Sequence, residues 1–174
     1  MRDIIKNEII IKQDEYLDYI NQHIKNVYKA FEIYDEVIRT VLEYDSYDLC
    51  RRVINHDASK YSSEEFNAYR RKFYPTSTEI NKDKIEEEFD LAWKHHYKLN
   101  DHHPEHWILN GVPTDMSDIS IAEMILDWTA MSYNFGGTVY GYFSTKFNKN
   151  KLTERTNAKV VKTLNKMMIY DSNK

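Results

Sequence analysis

Seven histidines in a chain of 174 residues frame the chemistry this sequence can do. Five of them, His95, His96, His102, His103 and His106, fall in the run A-W-K-H-H-Y-K-L-N-D-H-H-P-E-H-W. His56 is followed at once by Asp57 in N-H-D-A-S-K, and His23 stands alone among apolar helix positions. A neutral imidazole nitrogen donates to metals at pH 7, which makes histidine the commonest protein metal ligand. Carboxylates accompany the histidines: Asp57 beside His56, and Glu123 and Asp127 four residues apart in the otherwise apolar I-A-E-M-I-L-D-W. A carboxylate on such a face is costly to bury unless it is paired or bound to a metal. Mixed imidazole and carboxylate donors suit a divalent transition ion (Mn, Fe, Zn, Ni or Co) better than a site built from oxygen alone. One or two such ions per chain are expected.

The ligands must be carried by helices. Tyr16, Ile20, His23, Val27, Phe31, Tyr34 and Ile38 recur at three- and four-residue steps, the stripe of an amphipathic helix running from a cap at Asp14 to about residue 44. His23 lies on that stripe. A second helix is expected over about 46–57, with Leu49, Val53 and Ile54 inward and His56 and Asp57 at its end. Ser62 and Glu65 have the spacing of a capping box and open a short helix with Phe66, Tyr69 and Phe73. A fourth helix is read over about 82–102, with Ile85, Phe89, Ala92, Trp93 and His96 inward; Pro104 closes it. Ser117 or Asp118 caps a fifth through Tyr133, stopped by Gly136-Gly137, and a last helix spans about 153–169. Val139 to Phe147 reads as a short aromatic segment, and no convincing strand is seen. The expected fold is therefore all-α, a single-domain bundle of about six helices over 1–174. Its metal-binding core covers about 16–133, with a C-terminal helical extension over 134–174.

On a helix, His96, Asn100 and His103 share one face and His95, His102 and His106 the other. This favours His96 and His103 as ligands, with His102 a close rival. Alone, His23 also fits a core histidine bonded to a buried tyrosine, and Lys60 a solvated lysine.

Composition narrows the function. Hydrophobic residues make up 41% and aromatic residues 14% of the chain, which fits a folded domain. Four glycines and three prolines are few for a sandwich or barrel. A net charge of −4 offers no broad basic surface, so nucleic acid is not an expected partner. Cys50 is the single cysteine, which fits a reducing, cytoplasmic location. No run of apolar length spans a membrane, and the start of the chain does not read as a signal peptide. A bacterial or phage origin and a homo-oligomer both stay open.

The ordered set His23, His56-Asp57 and Asp127 resembles the HD-domain superfamily of metal-dependent phosphohydrolases. H-D-A-S-K is similar to the H-D-x-G-K of many members, and H-H-P-E-H-W resembles the double-histidine segment of the HD-GYP branch. The resemblance implies an HD-like helical core with His23, His56, Asp57 and Asp127 holding a first metal. It implies His96 with His102 or His103 for a second, and Lys60 as a phosphate contact. An aspartate can bridge two metals about 3.5–4 Å apart, and a metal brings the pKa of bound water from about 15.7 towards 7. The expected activity is hydrolysis of a small-molecule phosphoester or nucleotide, with Asp57, Lys60 and Glu123 as catalytic candidates. Glu123 is a proton acceptor or an orienter of an imidazole, and Lys60 or Arg52 offsets phosphoryl charge. Two alternatives stand beside it: a non-enzymatic metal- or nucleotide-binding helical protein, and an HD-like di-iron oxygenase.

Overall fold

The computed structural model describes residues 2–173, and the side chains of residues 5–173. It is all-α: seven α-helices and one two-stranded hairpin among the described residues. The helices are α1 (Arg2–Arg39), α2 (Ser46–Ile54), α3 (Phe66–Phe73), α4 (Lys82–Leu99), α5 (Asp118–Phe135), α6 (Val139–Thr145) and α7 (Glu154–Ser172). Strands β1 (Ile108–Leu109) and β2 (Val112–Pro113) pair antiparallel. They are joined by Asn110 and Gly111, both at positive φ, as the tightest hairpin turns require. Among the described residues no helix is long and apolar enough to cross a membrane.

Two compact units divide the chain, each built from two segments: residues 1–22 with 57–100, and residues 23–56 with 101–174. In the first unit α3 packs on α4. The Tyr16 ring lies tilted against that of Phe66, centroids 5.1 Å apart, and Tyr69 meets Phe89 edge-on at 5.0 Å. In the second unit α2, α6 and α7 each pack on another helix of that unit, α5 the commonest partner. Its core is a continuous cluster including Val27, Ile38, Leu49, Val53, Ile121, Ile125, Leu126, Phe143 and Leu164.

The predicted α1 stripe is buried, except that Phe31 is half-buried and Ala30 takes the core position beside it. The helix does not start at Asp14. It continues back to Arg2, and Glu8 on this added stretch accepts hydrogen bonds from the N–H and hydroxyl of Ser77. The capping box at Ser62 does not form. Helix α3 starts at Phe66 with Glu65 at its N-cap and no side-chain cap bond, because the Glu65 carboxylate is used elsewhere. Ile54, read as inward, is exposed at the end of its short helix, as is Phe73 at the end of α3. Val139 to Thr145 is a true helix, capped by Thr138 accepting from the Gly141 N–H. Ser117 and Thr153 cap α5 and α7 in the same way.

The loop after α3 is tied down by a buried arginine. Arg70 donates to both oxygens of Glu79, through Nη2 to Oε1 at 2.5 Å and through Nη1 to Oε2, and the Thr76 N–H donates to Oε2 at 2.8 Å. Arg70's bonds dominate over burial and hold the Glu79 carboxyl at about 2, below its ordinary 4.5. A carboxyl depressed in the folded state stabilises the fold above its unfolded value and loses that contribution as pH falls through the folded value. Thermal melts should therefore show Glu79→Gln flattening the loss of Tm between pH 4.5 and about 2, with little effect on that slope above pH 5.

Candidate metal centre

In the second unit the sequence brings five polar side chains into an apolar interior. Glu123 and Asp127 sit one turn apart on α5, so both project from one face. His23 comes from α1, His56 from just past the C-cap of α2 at Asn55, and His102 from the turn after Asn100. His23, His56, His102 and Glu123 are buried, and Asp127 is nearly so. His23 Nε2 lies 3.1 Å and His56 Nε2 3.7 Å from Asp127 Oδ1. On the other side of the His56 ring, Nδ1 lies 2.9 Å from Glu123 Oε1, which also takes His102 Nδ1 at 3.4 Å. The His56 ring centroid is 5.3 Å from that of His23 and 4.4 Å from that of His102.

Two overlapping groups in this unit have the reach to hold a cation: His23, His56 and Asp127, and His56, His102 and Glu123. They compete for His56, since a neutral imidazole carries a proton on one nitrogen and a lone pair on the other. With Nδ1 donating to Glu123, the lone pair of His56 is on Nε2, which faces Asp127. The geometry thus favours His23, His56 and Asp127 as the donor set and Glu123 as the carboxylate that orients His56, an arrangement metal sites commonly use. Burial pushes the Asp127 carboxyl up, but its imidazole neighbours, His23 first, outweigh it and hold it well below its ordinary value. An ionised carboxylate is the form a cation binds.

A second polar cluster lies in the first unit. Asp57 is in the left-handed backbone region, φ 57° and ψ 23°, where it ends the α2 turn and opens a short 3-10 turn over Ala58–Tyr61. Its Oδ2 takes Lys60 Nζ at 2.6 Å and its Oδ1 lies 3.2 Å from His96 Nε2. His96 Nδ1 lies 2.8 Å from Glu65 Oε2, and Glu65 Oε1 takes His95 Nδ1 at 2.7 Å. Ser59 donates to Glu65 as well. Burial drives the His96 pKa down, yet Asp57 and Glu65, one at each ring nitrogen, raise it above the ordinary value. Coordination through His96 Nε2 therefore requires release of a proton. The Lys60 ammonium sits 5.5 Å above the Tyr69 ring.

All the predicted site residues but His103 thus lie in a polar cluster of their own unit: His23, His56, His102, Glu123 and Asp127 together in one, Asp57, Lys60 and His96 together in the other. His103 is half-buried, its ring 4.2 Å from that of His102. The helical-face argument that favoured His103 does not apply, because α4 stops at Leu99. Sequence reasoning missed Glu65, absorbed into a capping box, and it missed Asp101. Arg52, offered beside Lys60 as a group to offset phosphoryl charge, here donates to Glu123 and Asp101. No local spacing signals these roles, since the histidine partners of Glu65 and the carboxylate partners of Arg52 lie 30 or more residues away.

The fold and the cluster define an all-α protein with buried histidine and carboxylate groups able to hold a metal ion. Residues 12–170 match the family described as a family of unknown function (DUF5662), and the chain belongs to that family. No significant match was found among curated proteins or among solved structures.

The left-handed backbone at Asp57 bears on how its role is tested. Asparagine and aspartate tolerate this region, whereas alanine there costs roughly 1–2 kcal/mol. Asp57→Asn should unfold below the parent, because it removes the charge paired with Lys60 and His96, and Asp57→Ala about 1 kcal/mol or more below Asp57→Asn, in denaturant unfolding of the variants.

Proposed function

We propose that this chain is a metal-dependent phosphohydrolase of the HD type, acting on a nucleotide or related phosphoester in the cytoplasm. The observation that carries the reading is the approach of His23 Nε2 and His56 Nε2 to one Asp127 oxygen, at 3.1 and 3.7 Å. Three protein donors leave coordination positions open for water and substrate, the pattern of catalytic sites; structural zinc sites are closed by four. A divalent transition ion bound there would supply water activated at neutral pH and a Lewis acid for a phosphoryl oxygen.

The chain's own groups have distinct tasks in this reading. Asp127 neutralises cation charge, and Glu123 fixes the His56 ring. Lys60 is the phosphate contact that the H-D-A-S-K resemblance assigns, offsetting charge as it builds on the phosphoryl oxygens. The same resemblance assigns ligand roles to Asp57, His96 and His102 or His103. Two histidines and one carboxylate are also the donor set of non-haem iron oxygenases, which supports the oxygenase reading as a rival.

Metal content of protein purified without chelators, followed by a panel of phosphoesters with added Mn²⁺, tests the proposal. The expected result is bound transition metal and turnover, both lost in Asp127→Ala and His23→Ala variants that still melt cooperatively. Iron together with substrate-dependent O₂ consumption would move the reading to oxygenation. No bound metal and no thermal shift with Mn²⁺ would leave a non-enzymatic binding protein.

A further inference from the structure

We infer that Arg52 is a positioning residue of the metal centre: it holds Glu123 so that His56 keeps its proton on Nδ1 and presents Nε2 to a cation. The inference rests on the proposed metal site and adds to it Arg52 and Asp101, which that reading did not use. Arg52 lies on α2, one turn before His56. Its Nε donates to Glu123 Oε2 at 2.6 Å, and its two terminal nitrogens donate to the two oxygens of Asp101. The forked guanidinium is therefore committed to two carboxylates at once, a geometry lysine cannot reproduce. With Oε2 held by Arg52, Glu123 has Oε1 turned to His56 Nδ1 at 2.9 Å.

The other arm of the fork acts on the neighbouring ligand segment. Asp101 precedes His102, and its backbone carbonyl accepts from Trp107 Nε1 at 2.6 Å. Arg52 thus ties together α2, α5 and the turn that carries His102. Arg52 Nε is the donor that holds Oε2, and without it the carboxylate loses that restraint on its rotation. Either nitrogen of His56 could then carry the proton, and the fraction of molecules with Nε2 ready for a cation would fall. Arg52 is a poor phosphate contact for the same reason that it is a good brace: all three of its donor nitrogens are engaged.

The test uses the full chain and two readouts. Long-range ¹H–¹⁵N NMR at pH 8 on metal-free protein reads the His56 tautomer, and competition titration with Zn²⁺ reads affinity. The wild type should show His56 with Nδ1–H. Arg52→Gln should mix the two tautomers and weaken Zn²⁺ binding by about 10–100-fold, the range seen when a carboxylate behind a ligating histidine is lost. Arg52→Lys should restore part of both. An Arg52→Gln protein with the wild-type tautomer and with affinity within about threefold overturns the inference. If Arg52→Gln does not fold, Asp101→Asn, which loosens one arm of the fork, carries the same test: tautomer and affinity both unchanged overturn it. A wild type that binds no Zn²⁺ would sink the metal reading, while the tautomer measurement would still decide what Arg52 does.

Discussion

Burying ionisable groups is the constraint that shapes the second unit. Removing a charge from water costs several kcal/mol per ion unless a partner of good geometry compensates. His23, His56, His102, Glu123 and Asp127 meet that condition by pairing with one another. Their pairing fixes what the helices must do. Helix α5 has to present Glu123 and Asp127 on a face whose surroundings are Ile121, Met124, Ile125 and Leu126, all buried. Helix α2 has to end where His56 can reach both carboxylates, and it does so one residue after its C-cap. The apolar cluster supplies the driving force, but the polar cluster selects which packing of these helices is acceptable.

The first unit solves the same problem with a different balance. Glu65 is fully buried and takes three donors, from His95, His96 and Ser59. Its carboxyl is driven up by burial and pulled below its ordinary value by these partners, His96 first. Asp57 is likewise spent on Lys60 and His96. Tyr16 and Tyr69 lie in the field of the same two carboxylates, and burial, with that field, raises both hydroxyls far above the ordinary tyrosine value. They are therefore neutral across the working pH range, as rings with a polar tip.

Much of this was legible in the residues alone, and the failures have physical causes. The α1 stripe and the starts of α5 and α7 follow from local rules: helical periodicity and side-chain caps at Ser117 and Thr153. An acid in an apolar stretch marked Asp127 as needing a partner or a metal, and the HD resemblance set His23 beside it. Glu65 could not be read correctly, because Ser62 and Glu65 satisfy a local pattern that distant histidines outbid. The true start of α1 was hidden for a similar reason: Glu8 is anchored by Ser77, 69 residues on. Arg52 had the right charge for an anion site, and its two carboxylate partners, distant in the chain, could not be read from the sequence.

The division of the chain into interleaved segments carries a consequence for biosynthesis. Residues 1–22 and 57–100 include all of the first unit, so a ribosome has delivered everything that unit needs once residue 100 has emerged. The second unit holds residues 23–56 early but lacks 101–174 until the end. Val27, Ile38, Leu49 and Val53 must wait, uncovered, for α5 and α7 to appear. Helices are made locally and quickly, whereas contacts that close long loops come late. For the duration of that wait the growing polypeptide carries an unsheltered greasy half-core, the kind of surface that nascent-chain chaperones exist to shield.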